Sequence, residues 1–358
     1  MTVLFYICLG FMLIQLFVLV LNYVSFPVLE QSQVSHKMQQ TSILIPARNE
    51  AETLPETLPS VLRQPAKEVI VLEDESSDET LSILQGFKEK FHHLQIVKGK
   101  PLPQGWSGKN WACHQLSDVA QGDYLVFTDA DVYWQKGTLE SVMTKVVTTQ
   151  AEFFSVWPRQ LTKSLLERTA VGIVDVILLS GLPYLGVKYL AFSQLAAGNG
   201  QLIVWQKEAY KQLGGHETFK AEVLEDVRMA QAAKAKGLRV RLALGGHIIA
   251  TRMYRSQEAL LEGFSKNIVN ASGNRAILVS LTILNVVVHS LSYVLVFLNS
   301  IWLVIILLSL AQRFLVLLKT KRNLLETFLH PFFPFILVRL VFRVFTQRGY
   351  TWKGRSYS

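Results

Sequence analysis

The sequence predicts an α/β fold, with a mostly parallel sheet flanked by helices, placed between apolar helices near both ends of the chain. From Thr41 onward, short apolar runs alternate with stretches of helical periodicity, which is typical of parallel strands joined by helices. The stretch Thr2–Leu29 has no formal charge, and a second apolar block runs from Ala276 to Leu318. Half of the 358 residues are apolar, which favours a membrane-associated part over a plain soluble enzyme.

Residues 1–30 are predicted to form an N-terminal transmembrane anchor. The uncharged stretch Thr2–Leu29 is long enough to cross a hydrocarbon core with some tilt. It lacks the positively charged start and the small-residue cleavage site of a signal peptide. We therefore expect the segment to remain part of the protein.

Residues 41–255 are predicted to form the α/β domain. Its elements follow in the order strand TSILIP, helix 50–63, strand EVIVLED, helix 78–90, strand LQIVKG, helix 109–119, strand DYLVFTDAD, a further helix and strand EFFSVWP. Each apolar run has the short length expected of a buried strand. Ligands of such sheets lie beyond the carboxyl ends of the strands, so the residues after each strand are the candidates for chemistry.

Charged residues stand directly after the first four predicted strands. The letters PARNE follow the first strand, EDESSD the second, a Gly-rich turn ending at Lys109 the third, and TDADV includes the end of the fourth. Crowded carboxylates repel one another unless a cation or hydrogen-bond donors compensate them, and Mg²⁺ typically joins one or two carboxylates to substrate phosphates. The pattern indicates a divalent metal with a phosphate-bearing ligand. Each cluster taken alone also fits a turn, and Asp78 also fits a helix cap.

The turn Gly105-Trp-Ser-Gly-Lys109 leads directly into a helical pattern. The free N–H groups and the dipole at a helix start both favour an anion there. A lysine in the same turn adds a positive charge, so the stretch indicates a phosphate site. An ordinary loop with a surface lysine is the alternative for this stretch taken alone.

Residues 276–318 are predicted to form two transmembrane helices, because the block is long enough for two crossings and is broken near Asn299 and Ser300. Residues 256–275 are expected to form an interfacial connector. The basic run Lys319-Thr-Lys-Arg322 follows the block, and such clusters stay on the cytoplasmic side. One crossing before the α/β domain then places that domain in the cytoplasm, in a multi-pass protein of the cell membrane.

Two further segments are predicted to lie at the membrane surface. Residues 324–346 are apolar but contain prolines and the arginines Arg339 and Arg343, so we expect an interfacial or re-entrant helix instead of a further span. Residues 161–195 are rich in Leu, Val and Ile with sparse charges, which fits either a core helix pair or interfacial helices, and we expect the latter. Residues 347–358 form a basic tail that could anchor to head groups or fold back toward the phosphate site.

The remaining composition narrows the function classes. A formal net charge of +9 fits attraction to anionic lipid, whereas no basic stripe with interleaved aromatic residues indicates nucleic-acid binding. The two cysteines, Cys8 and Cys113, provide neither a disulfide framework nor a structural zinc site. No histidine pair has metal-ligand spacing, and His216 is expected at the surface.

The strand-end motifs together resemble those of the family 2 glycosyltransferases over roughly Thr41–Thr251. The motifs are, in chain order, SILIPARNE, VIVLEDESSDET, GWSGKNWA, LVFTDADV, AAGNG and VLEDVRMAQAAKAKG. The resemblance implies a GT-A nucleotide-sugar-binding domain, which is Rossmann-like, and a UDP-sugar as donor.

The resemblance also implies a set of donor-binding residues. Pro46, Arg48 and Glu50 match positions that line the family's uridine pocket, Asp74 matches the partner of the uracil ring, and Lys109 matches the Gly-Lys position near the diphosphate. The sequence departs from the family where Glu73 replaces a more usual Asp and Glu75 a more usual Gly. These departures leave the detail of the uridine pocket open.

Asp129, Ala130 and Asp131 resemble the family's Asp-X-Asp motif, which implies that Mg²⁺ or Mn²⁺ is bound through Asp129 and Asp131, with Asp131 the direct ligand. Asp226 matches the family's general base, which takes the proton of the acceptor and gives inversion in one displacement. The expected acceptor side is formed by Gly198, Asn199, Gly200 and Glu225. For the three-residue stretch that begins at Gly198, a simple turn is the alternative.

Nearly the whole chain resembles a narrower group, the bacterial 4,4'-diaponeurosporenoate (carotenoid acid) glucosyltransferases and the hopanoid-associated glycosyltransferases. The stretch Arg252–Asn267 lacks the Gln-X-X-Arg-Trp of processive synthases, which favours transfer of a single sugar, with glucose expected, to a lipid acceptor in the bilayer. A carotenoid acid is favoured by motif similarity. A carboxylic acid is already ionised at neutral pH and needs no base, so Asp226 fits an alcohol better, and a hydroxyl-bearing hopanoid or glycerolipid is the alternative.

Two other classes of protein are alternatives to an enzyme. A non-catalytic nucleotide-sugar binder or membrane scaffold would be favoured by loss of Asp131 or Asp226, and both are present. A transporter would need buried charges within the spans or interrupted helices that face one another. Residues 276–318 contain a single formal charge, Arg313, so this class is not favoured.

Overall fold

The computed structural model describes residues 1–32, 37–254, 256–272, 274–346, 350–352 and 355–357. The chain forms two compact units. We call them the helical unit, made of Met1–Phe26, Gln160–Leu185 and Met253–Ser358, and the sheet unit, made of Pro27–Arg159 and Gly186–Arg252.

The strands, numbered in chain order, are β1 (Thr41–Ala47), β2 (Glu68–Glu73), β3 (Leu94–Lys98), β4 (Tyr124–Thr128), β5 (Val132–Trp134), β6 (Phe153–Trp157), β7 (Arg159–Gln160), β8 (Leu202–Gln206), β9 (Val240–Leu244), β10 (Ile249–Thr251), β11 (Tyr350–Trp352) and β12 (Arg355–Tyr357). Seven of them form the main sheet in the order β3-β2-β1-β4-β8-β6-β9. Strands β3, β2, β1 and β4 are parallel neighbours, and so are β6 and β9. Strand β8 runs antiparallel to both of its neighbours, so the expected mostly parallel α/β sheet is confirmed.

The α-helices of the sheet unit are Leu54–Leu62, Thr80–Lys90, Gly108–Val119, Thr138–Thr148, Lys207–Leu213, Gly215–Thr218 and Glu225–Ala235, together with Tyr184–Tyr189, which spans the division between the units. The first of these begins four residues later than the predicted helix 50–63. Residues 50–53 form a turn instead, in which Thr53 N donates to Glu50 O at 2.9 Å. Asn49 precedes this turn with a positive φ of 51°, a conformation that asparagine tolerates better than most residues.

The core of the sheet unit lies on the sheet and under its helices. Strand β2 is buried along its whole length, as expected where helices cover both faces of a parallel sheet. Ile43 and Val69 from the sheet pack with Leu58 from the helix Leu54–Leu62 and Leu139 from the helix Thr138–Thr148. This packing fixes the strand ends, where the charged motifs begin.

The helical unit contains the α-helices Thr2–Ser25, Leu165–Gly181, Gln257–Ser272, Arg275–Val286, Ser292–Leu295, Trp302–Thr320 and Phe333–Thr346, a π-helix at Val287–Leu291 and a 3₁₀-helix at Leu324–Phe332. By length and composition alone, four helical stretches of the described chain could cross a membrane: Thr2–Ser25, Arg275–Leu295, Trp302–Thr320 and Leu324–Thr346. The last of these is the segment for which the sequence predicts an interfacial or re-entrant position. It consists of a 3₁₀-helix followed by an α-helix, and that position stays a prediction.

The segment expected as interfacial helices at 161–195 divides between the two units. Its main helix, Leu165–Gly181, packs in the helical unit, where the buried side chains of Asp175 and Arg322 form an ion pair at 3.0 Å. Arg322 also pairs with Glu326 at 2.7 Å. The expected connector 256–275 contains the helix Gln257–Ser272, with Gly273 outside the described residues. In the tail, β11 and β12 pair antiparallel, and residues 347–349, 353, 354 and 358 lie outside the described chain.

Candidate active site

The loops after β1 and β2 are joined by hydrogen bonds. The Arg48 guanidinium donates to the carbonyl oxygens of Asp74 and Glu75. Asn49 and Glu50 donate through their backbone N–H groups to Ser76 Oγ at 3.1 Å and Thr80 Oγ1 at 2.8 Å. These bonds bring the expected uridine-binding residues Arg48, Glu50 and Asp74 into one loop pair at a single edge of the sheet.

The turn that carries Lys109 is fixed from two sides. Ser107 caps the helix Gly108–Val119, since its Oγ accepts from Asn110 N at 3.3 Å. The Asn110 amide in turn donates to the carbonyl oxygens of Phe219 at 2.8 Å and Glu222 at 3.0 Å. Lys109 therefore projects from the first turn of a helix whose start is held in place, as the sequence predicts for a phosphate site.

The Lys109 ammonium joins two carboxylates from distant parts of the chain. Its Nζ lies 2.8 Å from Asp129 Oδ1 and 3.5 Å from Glu225 Oε1, and the side chain is 25% exposed. Burial alone lowers the pKa of a lysine, but the two carboxylates outweigh it and raise the pKa of Lys109 well above its ordinary value. Lys109 is therefore a permanent cation at this site.

Two glycines allow the loop Gly198–Gly200, which the sequence predicts on the acceptor side, to lie against the carboxylates. A Cβ on Gly200 would lie 2.9 Å from Lys109 Nζ and 3.3 Å from Glu225 Oε1. A Cβ on Gly198 would lie 2.6 Å from the backbone oxygen of Asp226. Asn199 closes the turn between them, since its Oδ1 accepts from Gln201 N at 2.9 Å. The stretch is thus a turn, and the backbone oxygen of Asp226 leaves no room for a side chain at Gly198.

Asp226 lies in the first turn of the helix Glu225–Ala235. Its two carboxylate oxygens accept from Gly200 N at 2.7 Å and from Val227 N at 2.8 Å. These bonds and the Lys109 charge favour ionisation, but burial and the neighbouring Glu225 carboxylate outweigh them and raise the pKa of Asp226 to about 7. A carboxylate with a pKa near the working pH is suited to general base catalysis.

The Asp-X-Asp motif follows β4 and lies next to the loop Gly198–Gly200. Asp129 N donates to Gln201 O at 3.2 Å, and Ala130 is buried with its carbonyl oxygen accepting from Thr57 Oγ1 at 2.6 Å. Asp131 follows at the start of β5 and is partly buried. No group of three or more His, Cys, Asp or Glu side chains in the described chain is placed to hold a metal ion.

The donor set nevertheless fits a hard divalent cation. Asp129 already accepts a cation, the Lys109 ammonium, at 2.8 Å. Mg²⁺ is usually held by one or two carboxylates, with substrate phosphates and water completing its shell. Asp129 and Asp131 supply that number of carboxylates.

A pocket adjoins this cluster. It is lined by Pro46, Lys109, Cys113, Phe127, Thr128, Asp129, Gly200, Ile203, Trp205, His216, Glu225 and Met229. Five of the expected site residues are therefore brought together on its wall, and Asp226 is hydrogen-bonded to one of them. The expected residues that lie outside the lining are Arg48, Glu50, Asp74, Ala130, Asp131, Gly198 and Asn199.

The expectation that His216 lies at the surface is wrong, because its side chain is only 5% exposed and lines the pocket. The neighbouring letters GGHETFK are mostly polar or small, which indicates exposure. The two glycines before the histidine are the signal that could locate it. Cys113 also lines the pocket, and burial raises the pKa of its thiol, so it stays protonated.

Known proteins resemble this chain in sequence and in fold. Residues 42–170 match the model of Glycosyl transferase family 2. A protein of Staphylococcus aureus strain USA300 named 4,4'-diaponeurosporenoate glycosyltransferase is 28% identical over 243 residues, which are 65% of this chain and 61% of that protein. The chain thus matches less than two thirds of the length of this relative.

One solved structure aligns over nearly the whole chain. It is the mannosyltransferase PcManGT of Pyrobaculum calidifontis in complex with GDP-Man and Mn²⁺, with a TM-score of 0.55 and 15% identity. The alignment covers 96% of this chain and 99% of that one. At this identity the likeness concerns the fold.

Proposed function

We propose that this chain, which belongs to glycosyl transferase family 2 and has the GT-A fold, transfers a single hexose, with inversion, from a UDP-hexose to a membrane lipid. The observation that carries the proposal is the position of Asp226. Its carboxylate is hydrogen-bonded to Gly200, in a pocket wall that also holds Lys109, Asp129 and Glu225. A base and a cation thus stand beside one cavity, as a displacement at an anomeric carbon requires.

The donor is proposed to bind across the strand ends. Arg48 and Asp74 receive the uridine, and Lys109 faces the diphosphate. Because Lys109 keeps its charge in every physiological condition, it stabilises the negative charge that develops on the departing nucleoside diphosphate. Its ion pairs with Asp129 and Glu225 hold the ammonium in place before the donor arrives.

Asp226 is proposed to take the proton of the attacking hydroxyl group. The oxygen of the acceptor forms a bond to the anomeric carbon while the bond to the diphosphate breaks, and the proton passes to the Asp226 carboxylate. Hydrogen bonds from Gly200 N and Val227 N hold both carboxylate oxygens in position. Mg²⁺ or Mn²⁺ held by Asp129 and Asp131, when bound, supplies Lewis-acid stabilisation of the diphosphate.

The first candidate acceptor is a carotenoid acid, as in the name of the Staphylococcus aureus relative. An observation favours a second candidate, a hydroxyl-bearing hopanoid or glycerolipid. A carboxylate acceptor arrives without a proton to remove, whereas the raised pKa of Asp226 matches the needs of a base that deprotonates an alcohol. The four helical stretches that could cross a membrane support a lipid acceptor of either kind.

Donor binding tests the metal part of the proposal. We expect Mn²⁺ to tighten UDP binding to the whole chain in isothermal titration, and Asp131→Ala to remove that gain together with transfer. Asp123→Ala alters an exposed carboxylate of the same unit and is the matched control. A metal-dependent affinity that is unchanged in Asp131→Ala would exclude Asp131 as a metal ligand.

A further inference from the structure

His216 is a buried polar group of the pocket to which the proposed reaction assigns no role. Its ring lies with an edge against Phe127, at a centroid distance of 4.9 Å. It lines the same pocket as Lys109, Gly200 and Glu225. A buried imidazole needs hydrogen-bond partners for both of its ring nitrogens. The partners of Nδ1 and Nε2 therefore show whether either nitrogen is available to a ligand.

Two glycines bring His216 to this position. Gly214 ends the helix Lys207–Leu213 with a φ of +90°, and Gly215 follows with a φ of +56°. A Cβ on Gly215 would lie 2.7 Å from a ring carbon of Tyr210. The chain therefore turns tightly against Tyr210, and His216 N donates to Tyr210 Oη at 3.1 Å.

A chain of hydrogen bonds sets the protonation of the ring. Ser117 Oγ donates its only hydrogen to His114 O at 2.7 Å, and Tyr210 Oη donates its only hydrogen to Ser117 Oγ at 3.2 Å. Tyr210 Oη is also 2.7 Å from His216 Nδ1. Since the tyrosine hydrogen is already used, Nδ1 is the donor in this contact. His216 is thus the tautomer with a hydrogen on Nδ1 and a lone pair on Nε2.

The Nε2 lone pair is available to a ligand. Within the described residues the ring makes no hydrogen bond besides the one to Tyr210, and His216 lines the pocket. Burial, and then the nearby Lys109 charge, lower the pKa of His216 to about 3, so the ring is neutral at physiological pH. A neutral acceptor pairs with a hydroxyl group. Ionised phosphate oxygens, which carry no hydrogen, are not its partners.

We infer that His216 Nε2 accepts a hydrogen bond from a hydroxyl group of the transferred hexose and thereby selects the donor sugar. The inference rests on the proposed function. His216 lines the pocket together with Lys109, the proposed contact of the diphosphate, and with Gly200, which is hydrogen-bonded to the proposed base Asp226. The transferred hexose has to approach both groups, and we place it beside His216. A site that pairs with a substrate hydroxyl rejects analogues that lack it, because the protein group is left unpaired.

Isothermal titration of the whole chain with UDP and with UDP-glucose, in the presence of Mn²⁺, tests this role. We expect His216→Phe to weaken UDP-glucose binding about tenfold, as loss of one buried hydrogen bond does, and to leave UDP binding unchanged. His92→Phe is the matched control, because His92 is exposed in the same unit. It should change neither affinity.

A deoxy-sugar series then identifies the hydroxyl. In the wild type, one mono-deoxy UDP-glucose should bind about tenfold more weakly than UDP-glucose, and in His216→Phe that difference should disappear. Tyr210→Phe removes the hydroxyl that orients the imidazole. This variant should also weaken the binding of UDP-glucose and leave the binding of UDP unchanged. It provides a second test if His216→Phe does not fold.

The possible outcomes separate the inference from the proposed function. Equal weakening of UDP and UDP-glucose in His216→Phe would overturn the inference, because the ring would then serve the nucleotide or the fold. Deoxy-sugar losses that are the same in wild type and variant would also overturn it. A wild-type protein that binds neither UDP nor UDP-glucose would instead reject the proposed function itself.

Discussion

Gly200 is the residue at which the loop Gly198–Gly200 meets Lys109 and Asp226. Its N–H donates to the Asp226 carboxylate, and a Cβ at this position would lie so close to Lys109 Nζ that the ammonium would have to shift. The sequence offers Gly198-Asn-Gly200 as a turn, which it is, but the close contact with Lys109 depends on residues about 90 positions apart in the chain. The contact therefore becomes visible only in three dimensions.

We predict that Gly200→Ala lowers transfer by about tenfold or more while the fold persists, because small misplacements of catalytic groups are costly. The added methyl group would lie 2.9 Å from Lys109 Nζ, so the ammonium has to shift from its position between Asp129 and Glu225. Steady-state kinetics and circular dichroism check this. Gly86→Ala is the control, because a Cβ on Gly86 meets nothing within 4 Å. Normal turnover in Gly200→Ala would show that the approach of the loop is irrelevant to catalysis.

We predict that Asp226→Asn lowers kcat by about 10²–10⁴ with an alcohol acceptor and leaves UDP-hexose binding nearly intact. Because the pKa of Asp226 is raised to about 7, the reactive carboxylate is gained as pH rises toward that value. The wild-type kcat/KM should rise with pH up to about 7 and then level off. In Asp226→Asn, the rise of kcat/KM with pH should disappear. If the rise is unchanged in this variant, another group is the base.

At the scale of single residues, the sequence predicts the charged residues that line the pocket but does not predict that His216 lines it. Lys109 and Asp129 can be located because strand ends in an α/β sheet converge at one edge. His216 cannot, because nothing in its neighbourhood resembles a buried strand or helix. Its burial follows from the contact between Gly215 and Tyr210, which depends on how two helices are joined.

At the scale of elements, most strands and helices of the sheet unit agree with the sequence, and the helix Leu165–Gly181 is the instructive difference. Its leucines and valines are expected at a membrane surface, yet most of its residues are buried in the helical unit. Asp175 is compensated by Arg322, 147 positions later. Local periodicity contains no information about a partner at that distance, so the sequence alone leaves a core helix and an interfacial helix open.

Asn22 joins the N-terminal helix to this element. Its Nδ2 donates to the carbonyl oxygens of Leu179 and Leu182, each at 2.8 Å, and its Oδ1 accepts from Tyr184 N at 2.8 Å. The side chain is fully buried. We predict that Asn22→Ala destabilises the protein by about 2 kcal/mol, because three backbone groups, two of them in buried hydrogen bonds, lose their partner.

Thermal unfolding in one detergent checks the Asn22 prediction, with Val24→Ala as control on the same helix. Val24 is 85% exposed, so its truncation should have little effect in detergent. Equal melting temperatures for the two variants would mean that this hydrogen-bonded junction does not stabilise the fold.

At the scale of the whole molecule, two membrane topologies have to be distinguished, one with three crossings and one with four. By length and composition, four helical stretches of the described residues could cross a membrane, whereas the sequence predicts three crossings and an interfacial segment at 324–346. The two arrangements place the C-terminus on opposite sides. With three crossings the tail shares the cytoplasmic side with the sheet unit, and with four it does not.

We predict that a tag after Ser358 is protected from protease in sealed right-side-out vesicles and is cleaved in inside-out vesicles. A tag inserted in the exposed stretch 297–299, between two expected crossings, is the control and should show the opposite pattern. Cleavage of the C-terminal tag from the outside would contradict the interfacial placement of 324–346.

The transfer of a hexose to a lipid is the central claim, and mass spectrometry of the lipid product tests it most directly. The detergent-purified protein is incubated with UDP-glucose, Mg²⁺ and a panel that holds a carotenoid acid, a hopanoid alcohol and diacylglycerol. We predict a lipid heavier by one hexose, formed by the wild type and lost in Asp131→Ala. A hexose found on the acid would show that the enzyme forms an ester. A hexose found on an alcohol would support the role of Asp226 as the base. A wild-type protein that consumes UDP-glucose without a glycosylated lipid, or leaves it untouched, would contradict the account.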